Sequence, residues 1–287
     1  MKSHISKAAI DPSKLMVVTD LDGTLLDFEN YSFQPAKPAL RLLRKLGVPV
    51  ICCSSKTSKE IEYWRRKLNL RTPFIAENGA AVFLPSDQFG ELRGEFVHRG
   101  RNLVREFGPA RSKLRAVFEK VRRESRVEMT GFRDMDMSMV KSLCGFASIQ
   151  QAKNAANREY SEPFVFPGRI DDNTISDVLA RFKKHKLKVI RGRRFFHLVG
   201  DIDKGRAVEF LKCMHNEIGQ AREQTIGIGD GINDLEMLNV VDFPVLVMAK
   251  NRRYDAGVKA RVNPILAGAV GPRGWNRAIE MLLSHQI

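Results

Sequence analysis

Short apolar runs, each closed by a polar or acidic turn and followed by an amphipathic helix, recur along this chain. The first, Leu15 to Thr19, leads straight into Asp20, Leu21, Asp22 and Gly23, as a buried strand ending in a loop does. Pro35 and Pro38 then open a helix with Leu40, Leu43 and Leu46 inward, closed by Gly47. Val48 to Cys53 reads as a second strand. After the turn Ser54, Ser55, Lys56, the pair Thr57 and Glu60 has capping-box spacing, ahead of a helix that turns Ile61, Trp64 and Leu68 inward. Phe74 to Ala76 predicts a third strand. Strand–helix–strand units wind right-handed and leave their strands parallel, so the pattern predicts an α/β fold whose binding sites gather beyond the carboxyl ends of the strands.

The rhythm returns late, with helix Lys204 to Met214, strand Thr225 to Gly229, helix Ile232 to Leu238 and strand Val245 to Met248. The stretch between has another texture. It holds a basic helix around Leu114, Val117, Phe118 and Val121, a polar Ala- and Asn-rich segment from Ser148 to Arg158, and a helix with Ile175, Val178, Leu179 and Phe182 on one face. Leu187 to Ile190 and Arg194 to Val199, separated by Gly192, predict a hairpin. The expected organisation is a core formed by residues 1–86 and 201–287, interrupted by an inserted α/β domain at 87–200.

With 287 residues, 43% hydrophobic and 28% charged, the chain has the balance of a soluble globular protein and room for two domains. Its longest apolar stretches, such as Phe243 to Ala249, fall far short of the roughly 20 residues that span a bilayer. Met1 to Lys14 lacks the apolar centre of a signal peptide. The four cysteines, two of them the adjacent Cys52 and Cys53, do not make a disulfide framework, so a cytoplasmic protein without membrane partners is expected. The net charge is +15, and residues 87–200 hold 24 Lys and Arg against 14 Asp and Glu. A basic balance attracts polyanions. No aromatic-basic recognition module accompanies it, however, so a solvated surface or a small anionic substrate is expected and nucleic acid is not.

Asp20 and Asp22 are two residues apart, and strand-like spacing puts both on one side of the backbone. One carboxylate can attack phosphorus and form an acyl-phosphate, while the other donates a proton to the leaving oxygen and later takes one from water. Gly229 to Asp234 forms a second acidic cluster between an apolar strand and an apolar helix. Two such clusters at strand ends can hold a hard dication through oxygen, and a phosphate dianion beside carboxylates requires compensating charge, so Mg²⁺ is expected. As a calcium loop the second cluster fails, because it lacks the twelfth-position glutamate and Asp242 is off register. Ser54 offers a hydroxyl and Lys204, beside Gly205 at a helix start, an ammonium, together a phosphate cradle. Singly each is a common turn or solvated residue. Their order and location give them weight.

The set Asp20 to Thr24, Ser54, Lys204 and Gly229 to Asp234, in that order, resembles the four motifs of haloacid dehalogenase (HAD) phosphatases. The resemblance implies a Rossmann-like HAD core with a parallel sheet and an inserted α/β cap domain. It also implies Asp20 as nucleophile, Asp22 as general acid and base, and Ser54 and Lys204 as phosphate ligands. Mg²⁺ would be held by Asp20, the Asp22 carbonyl and Asp230, with Asn233 and Asp234 supporting. Glu77 to Ala80 and the insertion resemble the Cof-like subgroup, whose cap closes over small phosphorylated sugars. Within it, Cys53 to Thr57, Arg158 to Pro163, Arg194 to His197 and Gly271 to Trp275 resemble the mannosyl-3-phosphoglycerate phosphatase family. That likeness implies dephosphorylation of mannosyl-3-phosphoglycerate to mannosylglycerate, a compatible solute, with Thr24, Lys56, Asn78, Arg158 and Arg193 at the substrate. Arg158 and Arg193 would pair with the glycerate carboxylate, since guanidinium meets carboxylate in a bidentate manner. Such relatives often carry paired glycines where Gly192 is followed here by Arg193, which leaves glucosyl-3-phosphoglycerate and sucrose phosphate as alternatives. The sequence leaves the oligomeric state open. His197 reads as a hydrogen-bonded core histidine, Met135, Met137 and Met139 as gap fillers, the four cysteines as structural and Trp275 as a packing anchor.

Overall fold

The computed structural model describes residues 10–90, 92–192 and 194–284. The chain begins with β1 (Leu15–Thr19), α1 (Lys37–Lys45), β2 (Val50–Cys53), α2 (Ser58–Leu68), β3 (Phe74–Ala76) and β4 (Ala81–Pro85). Then come α3 (Ser86–Phe89), β5 (Val97–Arg99), β6 (Asn102–Glu106), α4 (Arg111–Ser125), β7 (Thr130–Gly131), α5 (Met137–Cys144) and α6 (Ile149–Ala156). Next are β8 (Ser161–Val165), α7 (Asp172–Lys184), β9 (Lys188–Arg191), β10 (Phe196–Val199) and α8 (Lys204–Glu217). The chain closes with β11 (Gln224–Gly229), α9 (Leu235–Asn239), β12 (Phe243–Met248), α10 (Ala256–Val262), β13 (Ile265–Val270) and α11 (Gly271–Leu282). It divides into two compact units, one of them Ser54–Gln88 with Arg93–Ala207, the other the chain up to Cys53, Phe89–Leu92 and the residues from Val208 on.

In the unit that holds β1, the strands lie in the order β13-β12-β11-β1-β2, and each neighbouring pair is parallel. Leu15, Met16, Val17 and Val18 are fully buried, as strands covered on both faces must be, which explains their unbroken apolar run. Thr19 pairs with Ile228 on one side and Cys52 on the other, so β1 and β11 deliver their next residues to the same edge. Leu40 and Leu43 of α1 are buried as expected, whereas Leu46 is only half-buried. Trp275, Ala278 and Ile279 of α11 are wholly enclosed, and Trp275 is the packing anchor read from the sequence. Cys213 is exposed, unlike the other three cysteines, so no packing role holds it.

The other unit contains two antiparallel arrays, β3-β4-β6-β5 and β7-β8-β10-β9. Phe118 of α4 and Phe182 of α7 pack against Phe164 and Leu198 on one face of the second array. Val165, one residue on and therefore on the opposite face, packs instead with Phe132, Met135, Val140, Ala152 and Phe195. The predicted hairpin is present as β9 and β10, with Ile190 opposite His197. The antiparallel strands β4, β5 and β6 are not foreshadowed by the apolar rhythm, and the β4–β6 pairing carries the sheet on to Glu106, past the boundary expected at residue 87. The reversal after β3 comes from a tight turn at Glu77–Gly79, which returns the chain as β4. On α2, Trp64 is half-buried and Arg65 takes the inward place, its guanidinium 4.7 Å from the centre of the Phe74 ring. Met135 fills the core, but Met139 is 42% exposed and fills no gap.

Candidate active site

In the unit built around β1, the backbone fixes the acidic residues before any side chain does. Asp20 N donates to Ile228 O at 2.9 Å, continuing the β1–β11 ladder one residue beyond the strand. Thr19 Oγ1 donates to Asp20 O at 2.8 Å and accepts from Trp275 Nε1 at 3.0 Å, so the buried indole braces the residue next to Asp20. Asp22 does not lie in the strand. It sits in a tight loop closed by Gly23 N to Leu26 O (2.9 Å) and Leu26 N to Leu21 O (2.8 Å), so the loop and not a two-residue strand repeat sets its direction. Gly23 has φ +82°, and a Cβ there would lie 2.8 Å from Asp230 Oδ2; both facts require glycine.

Asp20, Asp230 and Asp234 are buried, and each offers a carboxylate oxygen within 4.8 Å of the others. Asp234 is oriented by its neighbours: its Oδ2 accepts from Asp230 N at 3.0 Å and Gly231 N at 3.4 Å, and its Oδ1 from Asn233 Nδ2 at 3.4 Å. Bringing ionised carboxylates this close costs on the order of a few kcal/mol per pair at the effective dielectric of a protein. A donor set made wholly of hard oxygens is suited to Mg²⁺, which relieves that repulsion. Thr24 is fully buried, and its Oγ1 has no hydrogen-bond partner among the described residues. Asp242, off register for a calcium loop, is structural: its Oδ2 accepts from Thr225 N and Oγ1.

The second unit holds the other expected residues. Ser54 is fully buried, and its Oγ accepts from Lys56 N at 3.3 Å. Thr57 and Glu60 form the predicted capping box at the start of α2. Lys56, 5% exposed, places Nζ 3.6 Å from Glu60. Glu77, Asn78 and Gly79 all have left-handed φ, at +48°, +62° and +92°, a conformation that costs a non-glycine residue about 1–2 kcal/mol. A Cβ at Gly79 would come within 2.1 Å of Asp203 O, next to Lys204, the first residue of α8. Asn78 is 3% exposed and its Oδ1 has no partner among the described residues, while its backbone N–H donates to Ser54 O. Lys204 is 1% exposed. Arg193 lies outside the described residues. Arg158 is turned inward: it donates to Ser55 O (2.7 Å), Ala155 O (3.1 Å) and Ser161 Oγ (3.3 Å). His197 has its Nδ1 buried without a partner among the described residues, and burial, aided by the nearby Arg158 charge, lowers its pKa to about 3.

The sequence pattern of the haloacid dehalogenase-like hydrolase family matches residues 17–92 and 148–259. The chain belongs to the haloacid dehalogenase-like hydrolases. It is 40% identical over 273 residues to a glucosyl-3-phosphoglycerate/mannosyl-3-phosphoglycerate phosphatase of Methanococcoides burtonii, covering 94% of this chain and 97% of that one. A protein of the same description from Persephonella marina is 35% identical, with 94% and 98% covered. Among solved structures, a haloacid dehalogenase-like hydrolase from Bacteroides thetaiotaomicron aligns with TM-score 0.63 at 20% identity, covering 93% and 98% of the two chains. A HAD subclass IIB sugar phosphatase aligns with TM-score 0.62 at 17% identity, covering 94% and 98%. The family resemblance carried by the motifs and the Rossmann-like HAD fold with an inserted α/β cap are both met. No helix among the described residues is long and apolar enough to cross a membrane.

Sequence reasoning missed the supports of this hydrolase's site. Thr19 and Trp275 are 256 residues apart, and nothing in either stretch announces their hydrogen bond. Glu77 belongs to the segment that resembles the Cof-like subgroup, yet its work is visible only in three dimensions. Its carboxylate accepts from Glu159 N (2.8 Å), Tyr160 N (3.2 Å) and Ser161 Oγ. Burial raises its pKa, against the pull of Arg158 and these hydrogen bonds.

Proposed function

We propose that this protein is a Mg²⁺-dependent phosphomonoesterase acting on mannosyl-3-phosphoglycerate and, as the relatives' shared description suggests, on glucosyl-3-phosphoglycerate. The observation that carries the reading is the buried trio Asp20, Asp230 and Asp234 at the carboxyl ends of β1 and β11, in a chain 40% identical to a phosphatase named for both esters. Asp20 attacks phosphorus, and the bond from phosphorus to the glycerate oxygen breaks as Asp22 gives that oxygen its proton. Asp22 then takes a proton from water, the water oxygen bonds to phosphorus, and the acyl-phosphate bond opens to return Asp20 and release inorganic phosphate. Mg²⁺ would be held by Asp20, the Asp22 carbonyl and Asp230, with Asn233 and Asp234 orienting that set, and when bound it offsets the charge of carboxylates and phosphate.

In this reading Ser54 and Lys204 bind the phosphoryl oxygens, and Thr24, Lys56, Asn78 and Arg193 serve the substrate. The buried Thr24 Oγ1 and Asn78 Oδ1, polar atoms without partners among the described residues, support that assignment. The segment 87–200 acts as the specificity cap. Four free cysteines suit a cytoplasmic setting, and the partner is a small anionic sugar phosphate, not a nucleic acid. The test is phosphate release from a panel holding both phosphoglycerate esters, sucrose phosphate and an aryl phosphate. Turnover is expected to be best on a phosphoglycerate ester and lost in Asp20→Asn, whose amide cannot form the acyl-phosphate. Undiminished turnover by Asp20→Asn would remove Asp20 as nucleophile, and a preference for sucrose phosphate would remove the substrate assignment.

A further inference from the structure

The loop after β2 carries Ser54 and Lys56 and is fastened along its length. Ser54 N donates to Ile75 O at 3.1 Å, and Glu77 N donates to Lys56 O at 3.0 Å. Thr57 Oγ1 donates to Asn154 O at 2.9 Å, and Ser58 Oγ to Glu159 Oε1 at 3.2 Å. At the centre of these ties is Arg158, whose side chain is 7% exposed.

A guanidinium has five N–H donors in a rigid fork. In Arg158, Nη1 serves both Ser55 O and Ser161 Oγ, Nε serves Ala155 O, and Nη2 faces Glu60 Oε2 at 4.0 Å. Glu60 lies between two cations, with Lys56 Nζ 3.6 Å from its Oε1. It also accepts from Thr57 N at 3.0 Å, which fixes the carboxylate against the backbone of the same loop. A bidentate grip on a substrate carboxylate would use the Nη2 that faces Glu60 together with either Nη1, taken from Ser55 or Ser161, or Nε, taken from Ala155, leaving a buried acceptor unsatisfied at a cost of about 1–3 kcal/mol.

We propose that Arg158 is a positioning residue for the Ser54–Thr57 loop, setting Lys56 through Ser55 O and Glu60, and not a contact for the substrate carboxylate. The proposal rests on the phosphatase reading above. It reverses what the sequence suggests for Arg158, with a measurable consequence. A carboxylate contact matters only to esters that carry a carboxylate, whereas a loop that presents Ser54 and Lys56 matters to every phosphate ester.

The experiment measures kcat and KM of the full chain with Mg²⁺ on mannosyl-3-phosphoglycerate and on an aryl phosphate, with inhibition by inorganic phosphate, for wild type, Arg158→Ala, Arg158→Lys, Glu60→Gln and the Glu60→Gln/Arg158→Ala double variant. Arg158→Ala is expected to lower kcat/KM on both esters by the same factor, about ten- to a hundredfold, and to weaken phosphate inhibition in parallel. Arg158→Lys, which keeps the charge beside Glu60, should recover part of that loss. The Arg158→Ala effect should shrink in the Glu60→Gln background, because the two act through one another. A loss confined to the glycerate ester with phosphate inhibition unchanged, or no loss on either ester, would overturn the proposal. Should Arg158→Ala not fold, additive effects of Arg158→Lys and Glu60→Gln in a Glu60→Gln/Arg158→Lys double variant would overturn it equally. If the wild type turned over neither ester, the phosphatase reading would fall instead, and calorimetry of inorganic phosphate binding to wild type and Arg158→Lys would still decide the role of Arg158.

Discussion

The acidic site of one unit and the ionic clusters of the other bury charge in opposite ways. Asp20, Asp230 and Asp234 set carboxylates of one sign within 4.8 Å of each other. In the second unit the signs alternate: Glu162, fully buried, accepts from Arg111 Nε at 2.6 Å and Arg115 Nη1 at 3.2 Å, and Glu60 lies between Lys56 and Arg158. Alternation lets buried ions satisfy one another, so that deleting one partner leaves an uncompensated charge. Like charges held together repel one another, and their gathering is explained by what they bind. Stability and activity should therefore separate in the first unit and move together in the second.

The largest effect tests that separation directly. Asp230→Ala is expected to abolish phosphate release, as exhaustive chelation of the wild type should, while leaving the melting temperature unchanged or higher because one repelling carboxylate has gone. Mg²⁺ should raise the melting temperature of the wild type but not of Asp230→Ala. Activity that survives chelation, or a strongly destabilised Asp230→Ala, would break the contrast.

The next effect is structural. Glu162→Ala strands Arg111, takes one of three acidic partners from Arg115, which keeps Asp134 and Glu119, and removes an acceptor for Arg133 N at 3.2 Å, so denaturant unfolding should show a loss of about 3 kcal/mol. A loss no larger than that from breaking an exposed pair such as Lys14–Glu223 would mean that the buried network contributes little.

The last effect is read per unit of pH and concerns a half-buried base with no ion pair among the described residues. His197 has its pKa lowered to about 3, so the folded state holds it neutral where the unfolded chain, near 6.5, is already protonated. The unfolded state then binds the extra proton, and stability contributed by the neutral ring is lost as pH falls from about 6.5 toward 3. Within that window the wild type should lose up to about 1.4 kcal/mol per pH unit more than His197→Gln, measured by parallel denaturant melts. Equal slopes would show that the ring is solvated in the folded state.

The alternation of apolar runs with helices was enough to read β1, α1, β2, α2 and β3, and later α8, β11 and β12, because a strand buried on both faces must be apolar throughout. The strands it did not reveal, β4, β5 and β6, are antiparallel additions without a uniform apolar signal; Val97 and His98 of β5 are exposed. The acidic motifs were legible for a related reason: carboxylates directly after a buried strand have few structural uses, and their order along the chain is itself a pattern. Arg158 was misleading because a sequence shows an arginine's charge but not which acceptors surround it.

Composition, the alternation of buried strands with helices and the chemistry of the motif residues were thus determined by the sequence alone, since apolarity and charge are properties of each side chain wherever it sits. What only the tertiary structure decided is how those charges are partnered. The approach of Asp230 to Asp20, the hydrogen bond from Trp275 to Thr19, and the enclosure of Arg158 by Ser55 and Glu60 all join residues far apart in the chain. Such pairings depend on distances of a few ångströms, and in a linear sequence only neighbours have a fixed distance.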